Sequence, residues 1–166
     1  AELDRITAGT INIGNSNSGL ISVTGVISPA NYKTLSAQNS VAFTSTGGFD
    51  SDVASLTVFE KMLAAGAVSI DPAAALTATA IGGFVPAHGN SFTMIENTTG
   101  SGTTGTFAGK PEGGSLTLGG VNAFITYAGG TGANDVVINV DNLAPKVTST
   151  TPAQAAVGVA TNSNVT

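Results

Sequence analysis

Glycine-punctuated apolar runs between residues 107 and 140 constrain the fold of this chain more than any other feature. The segment reads FAGKPEGGSLTLGGVNAFITYAGGTGANDVVINV, and its apolar runs Ser115–Leu118, Ala123–Tyr127 and Val136–Val140 alternate with turns of Gly, Asn and Asp. Apolar side chains recur at every second position, which is the period of a β-strand, and glycine marks the tight turns between strands. The pattern predicts short β-strands that coil around a shared core.

The same alternation appears in most of the chain before this segment. The letters TINI at 10–13 and ISVT at 21–24 alternate on either side of a Gly/Asn/Ser turn at 14–19, which predicts two strands with one face inward. Thr98–Gly105 is a polar turn cluster. Further strands are predicted at Lys33–Ser36, Ser40–Thr44, Val68–Ile70, Leu76–Ala80 and Ser91–Glu96.

Asp50–Ala67 is the one ambiguous stretch. Its apolar residues fall at helical spacing, with Asp52 as a possible N-cap and Gly66 as a possible end, but the letters SLTVF alternate as in a strand. The balance favours a strand with a short helical turn near Glu60–Ala65.

Composition and periodicity together predict an all-β fold, a right-handed parallel β-helix over residues 1–140. Only 9% of residues are charged, and small residues abound, which suits tight repetitive packing. Coils of about 20–25 residues would give about six coils, with two open ends whose backbone groups need a cap or a partner. A proline-containing linker is predicted at 141–145, followed by a short extended tail, residues 146–166, which is an incomplete strand segment or an assembly tail.

The charge pattern excludes two classes of partner. The net charge is −5, and the basic residues stand singly along the chain, so there is no basic face for nucleic acid and no polybasic membrane patch. No apolar run reaches the roughly 18 residues of a membrane helix, so we expect no membrane insertion. The basic residues are Arg5, Lys33, Lys61, Lys110 and Lys146.

Two acidic groups are the candidate sites for a cation. Asp50 and Asp52 lie on the same side of an extended chain, and Asp135 and Asp141-Asn142 bracket the last predicted strand before the linker. Carboxylates and carbonyls that converge at a module junction can bind Ca²⁺, although hard cations need several oxygens. The alternative is that both groups are ordinary solvated turns and strand ends. We therefore expect no required cofactor, with Ca²⁺ as the candidate ligand.

No catalytic site is predicted. His88 is the only histidine and lies in a turn-like PAHGN context without a nucleophile motif, so an exposed turn residue is the better interpretation. Asn97-Thr98-Thr99 fits a glycosylation triplet that is common by chance. The pairs Gly47-Gly48, Gly82-Gly83, Gly113-Gly114 and Gly119-Gly120 are predicted turns without a phosphate-binding pattern.

The segment 107–140 resembles the closing part of autotransporter-like and filamentous-haemagglutinin-like passenger β-helices of bacteria. The resemblance rests on Phe107, Gly109, Pro111-Glu112-Gly113, Ile125-Thr126-Tyr127, Gly129-Gly130 and the run GANDVV at 132–137. Lys110 stands where leucine is usual, and Ala133 interrupts Gly-Asn-Asp. The tail 146–166 is similar to the opening strand of a bacterial Ig-like module.

This resemblance implies a location and a role. It implies an exported, extracellular structural segment, an adhesin-like stalk or passenger without enzymatic activity, whose partners are neighbouring modules, other copies, or a surface glycan or protein. One alternative is a subunit of a self-assembling filament, joined by end stacking or by strand addition of the tail. Another is a carbohydrate-active β-helix enzyme, which needs a cleft of acids with Lys or Arg.

Overall fold

A computed structural model of the chain, which describes residues 6–29 and 33–141, is all-β. The described residues contain no helix. The strands are β1 Thr10–Ile13, β2 Ile21–Val23, β3 Val26–Ile27, β4 Thr34–Ala37, β5 Val41–Phe43, β6 Gly48–Val53, β7 Lys61–Ala64, β8 Val68–Ile70, β9 Ala75–Ala80, β10 Ser91–Asn97, β11 Thr103–Thr104, β12 Ser115–Leu118, β13 Val121–Gly129 and β14 Asp135–Val140.

The strands form three sheets that the chain visits in a fixed order. The first sheet has the order β1-β4-β7-β10-β14-β13-β12, the second β11-β8-β5-β2 and the third β3-β6-β9. Pairing among β1 to β11 is parallel throughout. We call one visit to the sheets a pass: β1–β3 is the first pass, β4–β6 the second, β7–β9 the third and β10–β11 the fourth.

Successive passes place equivalent apolar residues directly above one another. In the first sheet Ile11 pairs with Leu35, Leu35 with Met62, and Met62 with Ile95, and all four side chains are buried. The second sheet repeats this arrangement with a column of Val23, Phe43 and Ile70. These columns belong to a single hydrophobic core that runs through all the passes.

The last three strands leave this parallel pattern. Strand β12 pairs antiparallel with β13, β13 with β14, and β14 with β10. The loop between β12 and β13 is Gly119-Gly120, and both glycines have positive φ, 59° and 81°. Two consecutive residues with positive φ form the turn that matches the twist of a two-residue hairpin. The predicted coil over 107–140 is therefore wrong, although its three strands are confirmed.

Most of the predicted strands are confirmed, and two other predictions are wrong. β1, β8 and β12 have the predicted bounds. The helical turn at Glu60–Ala65 is instead strand β7, because parallel ladders with β4 and β10 bond it on both sides. In place of about six coils, the described residues form three complete passes and a partial fourth, since the final strands turn antiparallel. The linker after Asp141 and the tail 146–166 lie outside the described residues.

Close approach between passes requires glycine at particular corners. A Cβ on Gly47 would lie 2.2 Å from the carbonyl oxygen of Val23 in the pass before it. Gly105 is more constrained, because its φ is +79° and a Cβ there would lie 2.0 Å from the carbonyl oxygen of Ile70. Only glycine meets both conditions without displacing the backbone of the neighbouring pass.

Gly105→Ala is expected to lower the free energy of unfolding by more than the roughly 1–3 kcal/mol of backbone strain alone. Gly89→Ala is the matched control, because Gly89 has φ +83° but open space around its Cβ position. Gly25→Ala, with open space and no positive φ, should be nearly neutral. Urea unfolding of the three variants measures the difference, and equal losses in Gly105→Ala and Gly89→Ala would contradict the close contact between passes.

Candidate functional site

One end of the stack, the open end, has three strand edges that find no partner within residues 6–29 and 33–141. Strands β1, β2 and β3 each stand at the edge of their sheet, and each pairs only with the second pass. Residues 6–29, which form this first pass, contain no charged side chain and no aromatic ring. Edge strands in water usually carry charges, prolines or bulges that prevent strand addition. Here Pro29 alone plays that part, at the exit of the pass.

An apolar hollow of about 330 Å³ opens at this end. Its floor comes from the second and third passes, through Leu35, Val41 and Met62, and its walls come from the first pass. The aliphatic side chains of the first pass do not fill the space that phenylalanines fill lower in the stack. Val26 lines the hollow and is 54% exposed, so this apolar surface is in contact with solvent.

The opposite end, the closed end, is covered by β12–β14. Strand β12 contacts β9, and β13 contacts β11, although β9, β11 and β12 still stand at the edges of their sheets. The hairpin loop also fits tightly, because a Cβ on Gly119 would lie 2.8 Å from Pro86 and 3.1 Å from Ala80. Antiparallel strands therefore lie over this end, whereas no described strand pairs with the outer side of the first pass.

Tyr127 organises the closed end through its phenol and its backbone. The Tyr127 hydroxyl accepts a hydrogen bond from the Phe107 N–H at 2.9 Å and donates one to the Lys110 carbonyl at 2.7 Å. The Tyr127 N–H donates to Oε2 of Glu112 at 2.7 Å. Phe107, Glu112 and Tyr127, on which the resemblance to passenger β-helices partly rests, thus contact one another. Burial raises the pKa of Tyr127, the Phe107 hydrogen bond opposes this, and the Glu112 charge adds to it.

A second polar network joins the turn after β10 to the turn before β14. Oδ1 of Asp135 accepts from the Asn97 N–H at 2.8 Å, and Nδ2 of Asn134 donates to the carbonyls of Thr99 and Ser101. Asn97 is buried and its Nδ2 donates to the Ser101 carbonyl, so the amide of the Asn97-Thr98-Thr99 triplet is engaged within the protein. The network closes a polar cleft of about 380 Å³ against the core.

The predicted acidic groups do not converge on a common point. Asp50 and Asp52 lie in β6 with Ser51 buried between them, so they share the outer face, where Ser28 donates to Oδ2 of Asp50 at 3.0 Å. Asp135 and Asp141 flank β14 at opposite ends, about 20 Å apart along an extended strand, and cannot ligate one ion together. Asn142 lies outside the described residues.

His88 is exposed and lies beside Asp141, the last residue that the structure describes. Its Nδ1 lies 3.3 Å from Oδ1 of Asp141, and both side chains are about half exposed. Within residues 6–29 and 33–141, no three His, Asp or Glu side chains are grouped to hold a metal ion. The same residues include no helix long and apolar enough to cross a membrane.

A buried carboxylate, Glu60, is the polar feature that sequence reasoning missed. Glu60 is 2% exposed, its Oε1 lies 2.7 Å from Nζ of Lys33, and its Oε2 accepts from the Asp52 N–H. Its backbone carbonyl accepts from the Ser51 hydroxyl at 2.7 Å. These bonds fasten the turn between the second and third passes. Lys33 and Glu60 are 27 positions apart in the sequence, so only the register between passes brings their side chains together.

Comparison with known proteins gives no assignment. No protein-family model, curated protein or solved structure matches this chain.

Lys33→Met is expected to destabilise the fold more than Glu60→Gln. Removing Lys33 leaves a buried carboxylate uncompensated, with a loss of about 3 kcal/mol, the low end of the usual range because Lys33 is 51% exposed. In Glu60→Gln a neutral oxygen still accepts from the Asp52 N–H, and we expect a loss of about 1 kcal/mol. Lys61→Met removes the more exposed pair with Glu96 and should cost about 0–1 kcal/mol. Chemical denaturation would contradict this account if Lys33→Met and Lys61→Met were equal.

Tyr127→Phe is expected to lower the free energy of unfolding by about 1–3 kcal/mol at neutral pH, because the buried Phe107 N–H loses its acceptor. The unfolded chain loses its phenolic proton near the ordinary pKa of 10.0, whereas the folded chain holds that proton to a higher pH. The wild-type stability is therefore complete below pH 10 and falls as pH rises through the folded pKa. Paired urea titrations should show the wild-type advantage shrinking above pH 10, and a constant difference would contradict the assignment.

Proposed function

We propose that this chain is a non-catalytic structural segment of an exported bacterial surface protein, in which the passes form a right-handed parallel β-helix. The observation that carries the proposal is the fixed order in which the chain visits the three parallel sheets around a single core. Crossovers between parallel strands of one sheet are right-handed in nearly all proteins, which supports the handedness.

The mechanical role follows from how the passes are joined. The first three passes are bonded to one another by parallel ladders in three sheets, and the fourth is bonded to the third in two. All four share a continuous apolar core. A stack of this kind resists bending because a bend must open at least one ladder. Such a segment suits a stalk that holds an adhesive domain, or a site for a surface glycan or protein, away from the cell.

The proposed location is supported by the sequence. The segment 107–140 resembles passenger β-helices, and the residues that carry the resemblance meet at the closed end around Tyr127. A cysteine-free, acidic and Thr/Gly-rich composition is consistent with bacterial surface proteins. Nothing in the arrangement of Asp50, Asp52 or His88 favours the carbohydrate-active alternative.

Self-assembly is the second candidate, because the open end presents strand edges that have no partner in the part of the chain that the structure describes. Growth by end stacking needs two complementary ends, and β12–β14 cover one of them. The remaining route to a filament is strand addition by residues 146–166, which lie outside the described residues.

Immunolabelling of intact cells of the source organism tests the surface role. Antibody raised against the purified chain should label unpermeabilised cells, and external protease should remove the label. Cytoplasmic protein measured in the same samples controls for leakage. Labelling that requires permeabilised cells would contradict the proposal.

A further inference from the structure

We infer that the polar cleft between the turn after β10 and the turn before β14 is a binding site for one calcium ion. The inference is independent of the surface role, because it concerns the purified chain in solution. It rests on two buried side-chain oxygens that accept no hydrogen bond and on a buried carboxylate that has no cationic partner within residues 6–29 and 33–141.

The two oxygens are Oδ2 of Asp135 and Oδ1 of Asn134. Asp135 is 9% exposed and Asn134 is 5% exposed. Oδ1 of Asp135 accepts from the Asn97 N–H, and Nδ2 of Asn134 donates to two backbone carbonyls. No group in the described part of the chain donates to the other oxygen of either side chain. Buried acceptors without a donor are unusual in folded proteins and indicate a bound water or ion.

Both oxygens lie against the same short turn of the cleft. A Cβ on Gly130 would overlap Oδ2 of Asp135, and a Cβ on Gly132 would lie 2.5 Å from Oδ1 of Asn134. Thr131 and Gly132 line the cleft together with Asn134 and Asp135. Two side chains that are adjacent in the sequence therefore direct their free oxygens towards one turn.

The charge of Asp135 favours a cation over a neutral ligand. None of the ion pairs formed among the described residues includes Asp135. A buried carboxylate without a counter-ion is costly, and a bound cation removes that cost. The side-chain amides of Asn97 and Asn134 already donate to backbone carbonyls. Water or a sugar hydroxyl can donate to the two free oxygens, but either would leave the charge uncompensated.

Calcium fits this set of oxygens better than magnesium. Ca²⁺ accepts carboxylate, amide and backbone oxygens in irregular geometry, whereas Mg²⁺ requires a near-ideal octahedron and dehydrates reluctantly. Asp135 and Asn134 supply one oxygen each, and Glu96 lines the same cleft with its Oε1 outside the bond to Lys61. The cleft of about 380 Å³ leaves room for the ion and for the waters that complete its shell.

A bound ion joins the fourth pass to the antiparallel strands. Asp135 begins β14, and its Oδ1 bonds the backbone of Asn97 at the end of β10. Since only one ligand is a buried charge, the site should be weak, with a Kd of about 0.1–1 mM, which is the range of extracellular calcium modules.

Calcium titration of the full 166-residue chain, followed by amide chemical shifts, tests the inference. In the wild type, amides of residues 96–101 and 129–135 should shift together and saturate with one Kd. Asp135→Asn removes the charge but keeps an oxygen for the Asn97 N–H, and it should weaken binding by about tenfold or more, since affinity follows ligand charge. Asp50→Asn is the matched control, because it removes an equal charge from β6, and it should leave the Kd unchanged.

The other outcomes each overturn the inference. Amides that do not shift at about 10 mM calcium, well above the expected Kd, would leave the two oxygens to water. Shifts centred on Asp50 and Asp52 would place the ion on the third sheet, and an equal loss in Asp50→Asn would indicate non-specific binding to acidic groups. Magnesium chloride at the same concentration controls for ionic strength, and equal affinity would contradict the choice of calcium. Thermal unfolding in EDTA shows whether Asp135→Asn is folded, and the wild-type titration needs no substitution.

Discussion

The rest of the structure depends on the in-register stacking of inward-facing side chains. Ile11, Leu35, Met62 and Ile95 form one column, and each belongs to a different pass. Slipping one strand by a single residue would turn every inward side chain outward, so each pass must return to the same register. The connections between strands absorb the differences in length. Glycine at corners such as Gly47 and Gly105 lets neighbouring passes approach within that register.

A stack of parallel passes satisfies the backbone of its interior strands but not of its two ends. This chain treats the two ends differently. At one end the strands turn antiparallel through Gly119-Gly120, and Tyr127 holds the preceding loop against them. At the other end the uncharged first pass pairs only with the second pass among the described residues, over a hollow that its own side chains do not fill.

The strands were predictable because their alternation is local, and the features that were missed depend on contacts distant in sequence. β1 and β8 follow from period-two patterns of three or four residues. Met62 and its neighbours are ambiguous in the sequence, because the ladders to β4 and β10 decide their conformation. The Lys33–Glu60 pair could not be seen before the register was known. Gly119-Gly120 between two apolar runs is a hairpin signal in the sequence, and it marks the point where the predicted coil gives way to antiparallel strands.

The most direct test of this account is a methyl NOE map of the folded chain, labelled at Ile, Leu, Val and Met. The stacked register predicts cross-peaks from Leu35 to both Ile11 and Met62, and from Met62 to Ile95. It predicts none between Ile11 and Ile95, which lie three strand spacings, or about 14 Å, apart. A map in which Leu35 and Met62 share no cross-peak, while each contacts only its own pass, would contradict the stacked register from which the fold, the two ends and the proposed role are derived.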